Sequence, residues 1–463
     1  MHRVDSAGSG FLYGETTGWH MHIGSLMILD PVGAPDFTFE SVMDLYARRL
    51  ASVPELRARV VEVPLGLDRP VLADDPHFDL EAHCHRTTLR APGTRRELER
   101  LTGHLLARKL DRNHPLWETW WIDGLDDGKV AFFVKMHHTL VDGVSGMHLA
   151  AMVMDTEPTP GPDPEPLPPA EPSPSIAHLG VGAMRSLAAI PWRSLRFANQ
   201  LAHQTVTMIR EVRRPDSPPL PFSAPRSPFN GAIRADRRVG SCTLPMDDIR
   251  TVKRAYGTTV NDVVLTVVGG ALRRYLDARG ELPTTPLVAQ VPVSVHTDGD
   301  LDNLGTQVVN MFTTLGTDVA GNVDRLRVIS SVTTRAKEYQ HAIFADRAIS
   351  LPDLVPPFVI SAVARAFTGS GLERRLPPLY NAIVSDVHGS PVDLYVCGAR
   401  VEALIPFGPL LLGSALNITA LSHCDTMNVG IVATPDAVPD PSMLGALMEA
   451  ELADLVDATR SGP

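Results

Sequence analysis

Between Glu157 and Pro174 half of the residues are proline, at nearly every second position. Proline fixes φ and has no backbone N–H, so such a run holds neither a helix interior nor a sheet ladder. It reads as an extended connector, and it forces the 463-residue chain to build two packed halves around it. A second proline-rich patch runs from Pro215 to Pro228. Between the two, Ile176 to Arg214 reads as helical, with a break expected at Pro191. Beyond that point Trp192, Leu195, Ala198, Leu201, Thr205, Met208 and Val212 recur at three- and four-residue steps. The expected division is an N-terminal domain over 1–156, a connector with a helix over 157–225, and a C-terminal domain over 226–463.

Composition narrows the function classes. With 44% hydrophobic residues each half can bury a core. The net charge of −11 argues against general nucleic-acid binding, which needs a basic face to neutralise phosphates. The one concentrated basic stretch is Arg185 to Arg214, with six arginines against the single acid Glu211. The four cysteines lie far apart and form no CxxC pair, which fits a reduced, cytoplasmic protein. The first residues lack the apolar core of a signal peptide. Ala403 to Cys424 is uncharged and long enough to span a membrane. Pro406, Gly408, Pro409 and Gly413 interrupt it, so a strand, a loop and a second strand are expected.

Strands and helices alternate in both halves, giving an α/β class with mixed sheets. Leu98–Leu110 reads as an amphipathic helix and Trp117–Ile122 as a strand. Asp126-Asp127-Gly128 is a turn, and Val130–His137 is the returning strand. A helix is expected over Ser145–Met154. Val260–Leu276 reads as a long helix and Leu287–Val295 as a strand. Alternation along Val130–His138 puts Ala131, Phe133, Lys135 and His137 on one face and Phe132, Val134, Met136 and His138 on the other. Two adjacent histidines at a strand end cannot both point into one pocket. One is expected to be a working base and its neighbour a scaffold residue. A neutral imidazole can take a proton from an alcohol near pH 7. Asp142-Gly143 then turns the chain.

The run His137-His138-x-x-x-Asp142-Gly143 resembles the active-site motif of the CoA-dependent acyltransferase superfamily. Further segments are similar to the bacterial wax ester synthase/diacylglycerol acyltransferase family. These are Asp5, Phe11, Glu15 and Met21-His22-Ile23-Gly24 at the opening, Leu110-Asp111-Arg112, and Pro115-Leu116-Trp117-Glu118. Phe229-Asn230-Gly231, Thr259-Val260-Asn261-Asp262-Val263 and Leu416-Asn417-Ile418 follow in the second half. The resemblance implies two chloramphenicol-acetyltransferase-like domains with a tunnel between them. It also implies transfer of a long-chain acyl group from acyl-CoA to diacylglycerol or a long-chain alcohol, making triacylglycerol or wax ester. Acyl-CoA is then a co-substrate, and no resident cofactor is expected. By the same resemblance His138 is the general base and His137 its scaffold neighbour, while Asp142 braces the turn. Asn261 stands where a side-chain amide would stabilise an oxyanion, and it is also a candidate N-cap for the helix that follows. Glu15 would position the acceptor hydroxyl or His138. Water-insoluble acceptors imply peripheral contact with the inner membrane or lipid droplets.

Two segments depart from the family pattern. Ser385-Asp386-Val387-His388-Gly389-Ser390 replaces Ser-Asn-Val-Pro-Gly-Pro, and Gly305-Thr306 replaces Gly-Asn. They motivate one alternative, a non-catalytic lipid-binding or droplet protein of the same fold; a condensation-type acyltransferase with a carrier-protein donor is a second alternative. His83-Cys84-His85 looks like a ligand cluster, but nothing at metal spacing completes it, and no metal is expected. No G-x-S-x-G elbow appears, which argues against a serine acyl-enzyme.

Overall fold

The computed structural model describes residues 2–16, 18–140, 153–163, 165–166, 174–211, 218–220, 222–295, 307–343, 356–370, 376–411 and 413–460. Asp142, Gly143, Thr306 and nearly all of the expected 145–154 helix lie outside the described residues. In chain order the strands are β1 (His2–Arg3), β2 (His22–Asp30), β3 (Ala58–Val61), β4 (Val71–Asp74), β5 (Cys84–Thr88), β6 (Trp117–Asp123), β7 (Val130–His137) and β8 (Arg238–Pro245). They continue with β9 (Val288–Val295), β10 (Gln307–Thr314), β11 (Ala382–Val387), β12 (Tyr395–Val396), β13 (Ala399–Phe407), β14 (Leu416–His423) and β15 (Thr426–Ala433). The helices are α1 (Ser6–Gly14), α2 (Phe39–Arg49), α3 (Arg95–Ala107), α4 (Ile176–Glu211), α5 (Met246–Tyr256), α6 (Val260–Asp277), α7 (Asn322–Ile343), α8 (Pro357–Ser370) and α9 (Pro441–Arg460).

Two six-stranded sheets organise the molecule, in the orders β12-β13-β2-β7-β6-β5 and β10-β9-β11-β14-β15-β8. Both are mixed, as expected. The first is antiparallel apart from β5 on β6, and the second holds β11 parallel to both β9 and β14. The expected division at residue 226 fails at one place. Strands β12 and β13 come from the second half of the chain but extend the first sheet, with β13 pairing along β2. The free edge of β2 takes this partner, and Val401, Leu404, Ile405 and Phe407 are buried on β13. The loop and β14 that follow return the chain to the second sheet, so Ala403–Cys424 is the expected strand, loop and strand. Among the described residues no helix is long and apolar enough to cross a membrane.

The halves are also stitched by side chains. Glu99 on α3 accepts from Ser241 of β8 and Ser442 of α9. The Trp19 indole N–H donates to the Leu410 carbonyl. Helix α6 is the core helix of the second half, buried almost all round from Asp262 to Leu272. Gly269 is required there, because a Cβ would come within 2.0 Å of the Leu315 carbonyl oxygen.

The connector helix α4 runs for 36 residues through Pro191 without the expected break. Proline removes one intrahelical bond, but this one is exposed, so water can satisfy the freed carbonyl. Leu179 and Ala183 seat the N-terminal end of α4 against Val63 and Val71. The Ser186 hydroxyl donates to Asp68 at 2.8 Å.

Candidate active site

Strand β7 delivers the histidine pair. Ala131, Phe133, Lys135 and His137 share one face, as the alternation groups them, and each is no more than 1% exposed. At the strand end the two backbones are pinned on opposite sides. The His137 N–H donates to the Leu116 carbonyl at 2.9 Å, and the His138 N–H donates to the Met21 carbonyl at 2.8 Å. A short 3₁₀ turn, His138–Leu140, then lifts the chain out of the sheet.

The imidazole of His137 is hydrogen-bonded at Nδ1, and its buried Nε2 faces a carboxylate without a hydrogen bond. Nδ1 accepts from the Thr139 N–H at 3.1 Å, which leaves the proton on Nε2. Nε2 lies 3.3 Å from Oε1 of Glu15. His138 is half-buried on the other side, its ring 4.4 Å from that of Phe11 on α1. Helix α1 is placed by Asp5, whose carboxylate caps the Gly8 N–H, and by the Thr139 hydroxyl, which donates to the Gly8 carbonyl at 2.8 Å.

Glu15, just past the end of α1, is the hub of this region. Its carboxylate is 1% exposed and takes the Met21 N–H at 3.0 Å and the Arg112 guanidinium at 2.8 Å, with Lys109 at 3.4 Å. Burial alone would raise its pKa. The His137 contact, Arg112 and the Met21 N–H outweigh it and hold the carboxyl well below the usual range. Glu15 therefore faces His137. Arg112 stood in the sequence only as part of a motif. Its role as the main cation on Glu15 needed the fold to bring residues 97 positions apart together.

Two further buried histidines stand behind His137. His22 is its cross-strand partner on β2. His22 Nδ1 donates to the Leu106 carbonyl at 3.3 Å and Nε2 accepts from the Leu110 N–H at 3.5 Å, a neutral ring. Burial, then Lys135, keep its pKa well below the ordinary value. Burial pushes His20 down to about 4. His83 also belongs to the core: it stacks on Trp117, and its Nδ1 lies 2.7 Å from the Trp117 carbonyl. No group of three His, Cys, Asp or Glu side chains able to hold a metal occurs among the described residues.

In the second half Asn261 occupies the first turn of α6. It is not the N-cap that the sequence allowed. Thr259 is, in a capping box with Asp262. Asp262 also accepts from Thr333 at 2.6 Å and Ser330 at 3.2 Å, clamping the first turn of α6 onto α7. With capping done by its neighbours, Asn261 keeps a buried Nδ2 with no hydrogen-bond partner.

These features match one family along most of the chain. Residues 4–264 match the wax ester synthase/diacylglycerol acyltransferase catalytic domain, and residues 304–456 match the C-terminal domain of the same family. The chain belongs to the wax ester synthase/diacylglycerol acyltransferase family. It is 34% identical over 456 residues to Rv1760 of Mycobacterium tuberculosis (strain ATCC 25618 / H37Rv), which carries a provisional diacylglycerol O-acyltransferase name; the match covers 95% of this chain and 87% of that one. It is 33% identical over 454 residues to the probable diacylglycerol O-acyltransferase tgs2 of the same strain, covering 97% and 98%. Among solved structures, the wax ester synthase/diacylglycerol acyltransferase of Marinobacter aquaeolei VT8 superposes with a TM-score of 0.71 at 29% identity, covering 99% of this chain and all of that one. The first condensation domain of the CDA synthetase has a TM-score of 0.57 at 15% identity, which extends the likeness to that two-domain fold.

Other family segments serve as framework. Asn417 on β14 donates to the Pro409 carbonyl at 2.8 Å and accepts from Thr419 at 2.8 Å, holding the loop after β13. Asn230 donates to the carbonyls of Tyr380 and Gly413. Asp386, where the family usually has asparagine, sits on β11 opposite Ala420 of β14. Burial raises its pKa, partly offset by His388 and Lys337.

Proposed function

We propose that the protein transfers a long-chain acyl group from acyl-CoA directly to the hydroxyl of diacylglycerol or a long-chain alcohol, with His138 as the general base. The acyltransferase class follows from family membership. The observation that supports the residue assignment is the burial of the histidine pair: His137 is 1% exposed and faces the Glu15 carboxylate at 3.3 Å, while His138 is half-buried on the other face beside Phe11.

His138 takes the proton of the acceptor hydroxyl as its oxygen attacks the thioester carbonyl. The tetrahedral oxyanion is met by Nδ2–H of Asn261, an amide that needs such an acceptor. Collapse breaks the C–S bond, and His138 returns the proton to the CoA sulfur. His137 and Glu15 hold the strand end. Asp142, outside the described residues, keeps the turn-bracing role the motif implies. The tunnel between the halves that the family resemblance implies would bring the two substrates together.

Water-insoluble acceptors must be collected from a lipid surface, and an exposed apolar face supports this. Val181, Met184, Trp192 and Leu195 on α4 are each 56–67% exposed, and Phe358 and Val363 on α8 are 46% and 61% exposed. Between these helices stands Leu65, 83% exposed in the left-handed region at φ 60°, with Gly66 packed on Phe358. Helix α8 in turn reaches α1, where the Ser361 hydroxyl donates to the Tyr13 carbonyl at 2.8 Å. Arg185, Arg193 and Arg196 suit this face to anionic headgroups.

The test is purified protein with labelled palmitoyl-CoA against diolein and hexadecanol, reading ester product and CoA release. Ester from either acceptor is expected. Absence of both products with a folded protein contradicts the reading.

A further inference from the structure

A polar cleft in the second half has no part in the site above. Tyr256, Gly257 and Thr258, between α5 and α6, form one wall. The other is a stripe of α7: Arg327, Ser330, Ser331, Thr334, Arg335 and Glu338. Their spacing of three and four residues makes a single helix face. The cleft measures about 620 Å³, within the range of small-molecule sites. A helix face of this composition needs no concavity if it only meets water. Here it lines a shallow, open depression with two guanidinium groups and three hydroxyls against one carboxylate.

Three observations point to an anionic ligand. Among the described residues Arg327 pairs with Asp324, at 3.1 Å, and both side chains are more than half exposed, so this pair does little to neutralise it. The Thr258 hydroxyl oxygen is buried without a hydrogen-bond partner. Lys253 and Arg254 stand in the last turn of α5, which ends at Tyr256 and Gly257. In a chain of net charge −11 this is a local excess of basic groups. The cleft is also tied to the reacting end. Ser330 in its wall donates to Asp262, and Asp262 clamps the turn that carries Asn261.

We propose that this cleft seats the phosphorylated nucleotide end of the acyl donor, the 3′-phospho-ADP portion of CoA, with Arg327 and Arg335 on its phosphates and the Ser331 and Thr258 hydroxyls beside them. Guanidinium groups recognise phosphate through paired charge-assisted hydrogen bonds, and exposed ones lose strength in salt. The proposal rests on the reading that the donor is acyl-CoA. A phosphopantetheine carried on a protein shares the pantetheine and one phosphate, but lacks the adenosine and its 3′-phosphate.

The experiment measures binding and turnover separately, using the full-length protein and its Arg327→Gln, Arg335→Gln and Ser331→Ala variants. Calorimetry with CoA, dephospho-CoA, phosphopantetheine and adenosine 3′,5′-bisphosphate reads the site without chemistry. The wild type is expected to bind CoA and the bisphosphate, and to bind dephospho-CoA and phosphopantetheine about tenfold or more weakly. Arg327→Gln, on an exposed side chain, is expected to keep its melting temperature and lose about tenfold in affinity for CoA and the bisphosphate. With palmitoyl-CoA its KM should rise about tenfold while kcat stays within about twofold. Equal binding by wild type and Arg327→Gln, or no binding of the bisphosphate by the wild type, overturns the proposal. Equal affinity for phosphopantetheine and CoA also overturns it, in favour of a carrier-protein donor. Turnover of palmitoyl-CoA with an unchanged KM in the variants leaves the acyltransferase reading standing without this site. Arginine-dependent CoA binding without turnover does the reverse.

Discussion

Nε2 of His137 faces Oε1 of Glu15 at 3.3 Å, and neither side chain is more than 2% exposed. The pairing joins the end of β7 to the residue just past α1, beneath the turn that presents His138. The same carboxylate holds Arg112 and the Met21 N–H, and the Met21 carbonyl takes the His138 N–H. The Met21 backbone thus links Glu15 to the backbone of the proposed base, which is the ground for proposing Glu15 as a positioning residue.

Glu15→Gln removes the charge from this hub while keeping its shape. Arg112 and Lys109 are 29% and 43% exposed and can turn to water, so the stability loss should stay near 2 kcal/mol. The expected kinetic effect is a fall in kcat of about tenfold with little change in KM for either substrate. A kcat unchanged from wild type, measured on folded protein, would show that His138 is held without this hub.

Asn261 and Thr259 make a paired prediction. Asn261→Ala should lower kcat about 10²–10³-fold, the usual cost of one oxyanion donor. Its melting temperature should barely move, because Nδ2 has no partner to lose. Thr259→Ala removes the N-cap and should cost about 1 kcal/mol of stability. Thermal melts and single-turnover rates of the two variants separate these roles; Asn261→Ala with normal turnover removes the oxyanion assignment.

Asp386 gives a pH signature. Burial raises its pKa in the folded protein, so ionising it there costs stability that the unfolded chain does not lose. Stability therefore declines as pH rises from the unfolded value, about 3.9, through the raised folded value. Asp386→Asn, which restores the family's usual residue, should melt higher than wild type at pH 8. The gap should close toward pH 4. An Asn variant that melts lower at pH 8 would mean that the charged carboxylate is favourably paired.

The α4 face predicts selective binding to lipid. Flotation with anionic vesicles should recover the wild type and neutral vesicles should not, since each basic residue near an anionic surface is worth about 1 kcal/mol. Changing Arg185, Arg193 and Arg196 to Gln should reduce recovery, and Trp192→Ser with Leu195→Ser should do so independently of charge. Equal recovery of all variants removes the surface role.

The separation of the two histidines was legible in the sequence because strand alternation alone forces adjacent residues to opposite faces; that the face carrying Lys135 is the buried one was not, since the Val130, Phe132, Val134 and Met136 face is the more apolar. The two mixed sheets were legible for the same reason, through period-two patterns and turn residues. What stayed hidden depends on pairing across long separations. Nothing near Ala399–Phe407 marks it as a strand of the first sheet, since its apolar pattern suits either half. The Glu15–Arg112 contact joins residues 97 positions apart. Pro191 misled, because a proline rule for helix interiors weakens where the freed carbonyl faces water. Asn261 was ambiguous until Thr259 proved to be the cap.

The central claim is the division of labour between His137 and His138. Steady-state and single-turnover CoA release from palmitoyl-CoA with diolein should be measured for His138→Ala and His137→Ala, alongside thermal melts. The account predicts that His138→Ala loses about 10²–10⁴-fold in rate while melting like the wild type. His137→Ala, which empties a buried contact with Glu15, should lower the melting temperature and retain measurable transfer. Near-wild-type CoA release from His138→Ala, with transfer abolished in a folded His137→Ala, would contradict it.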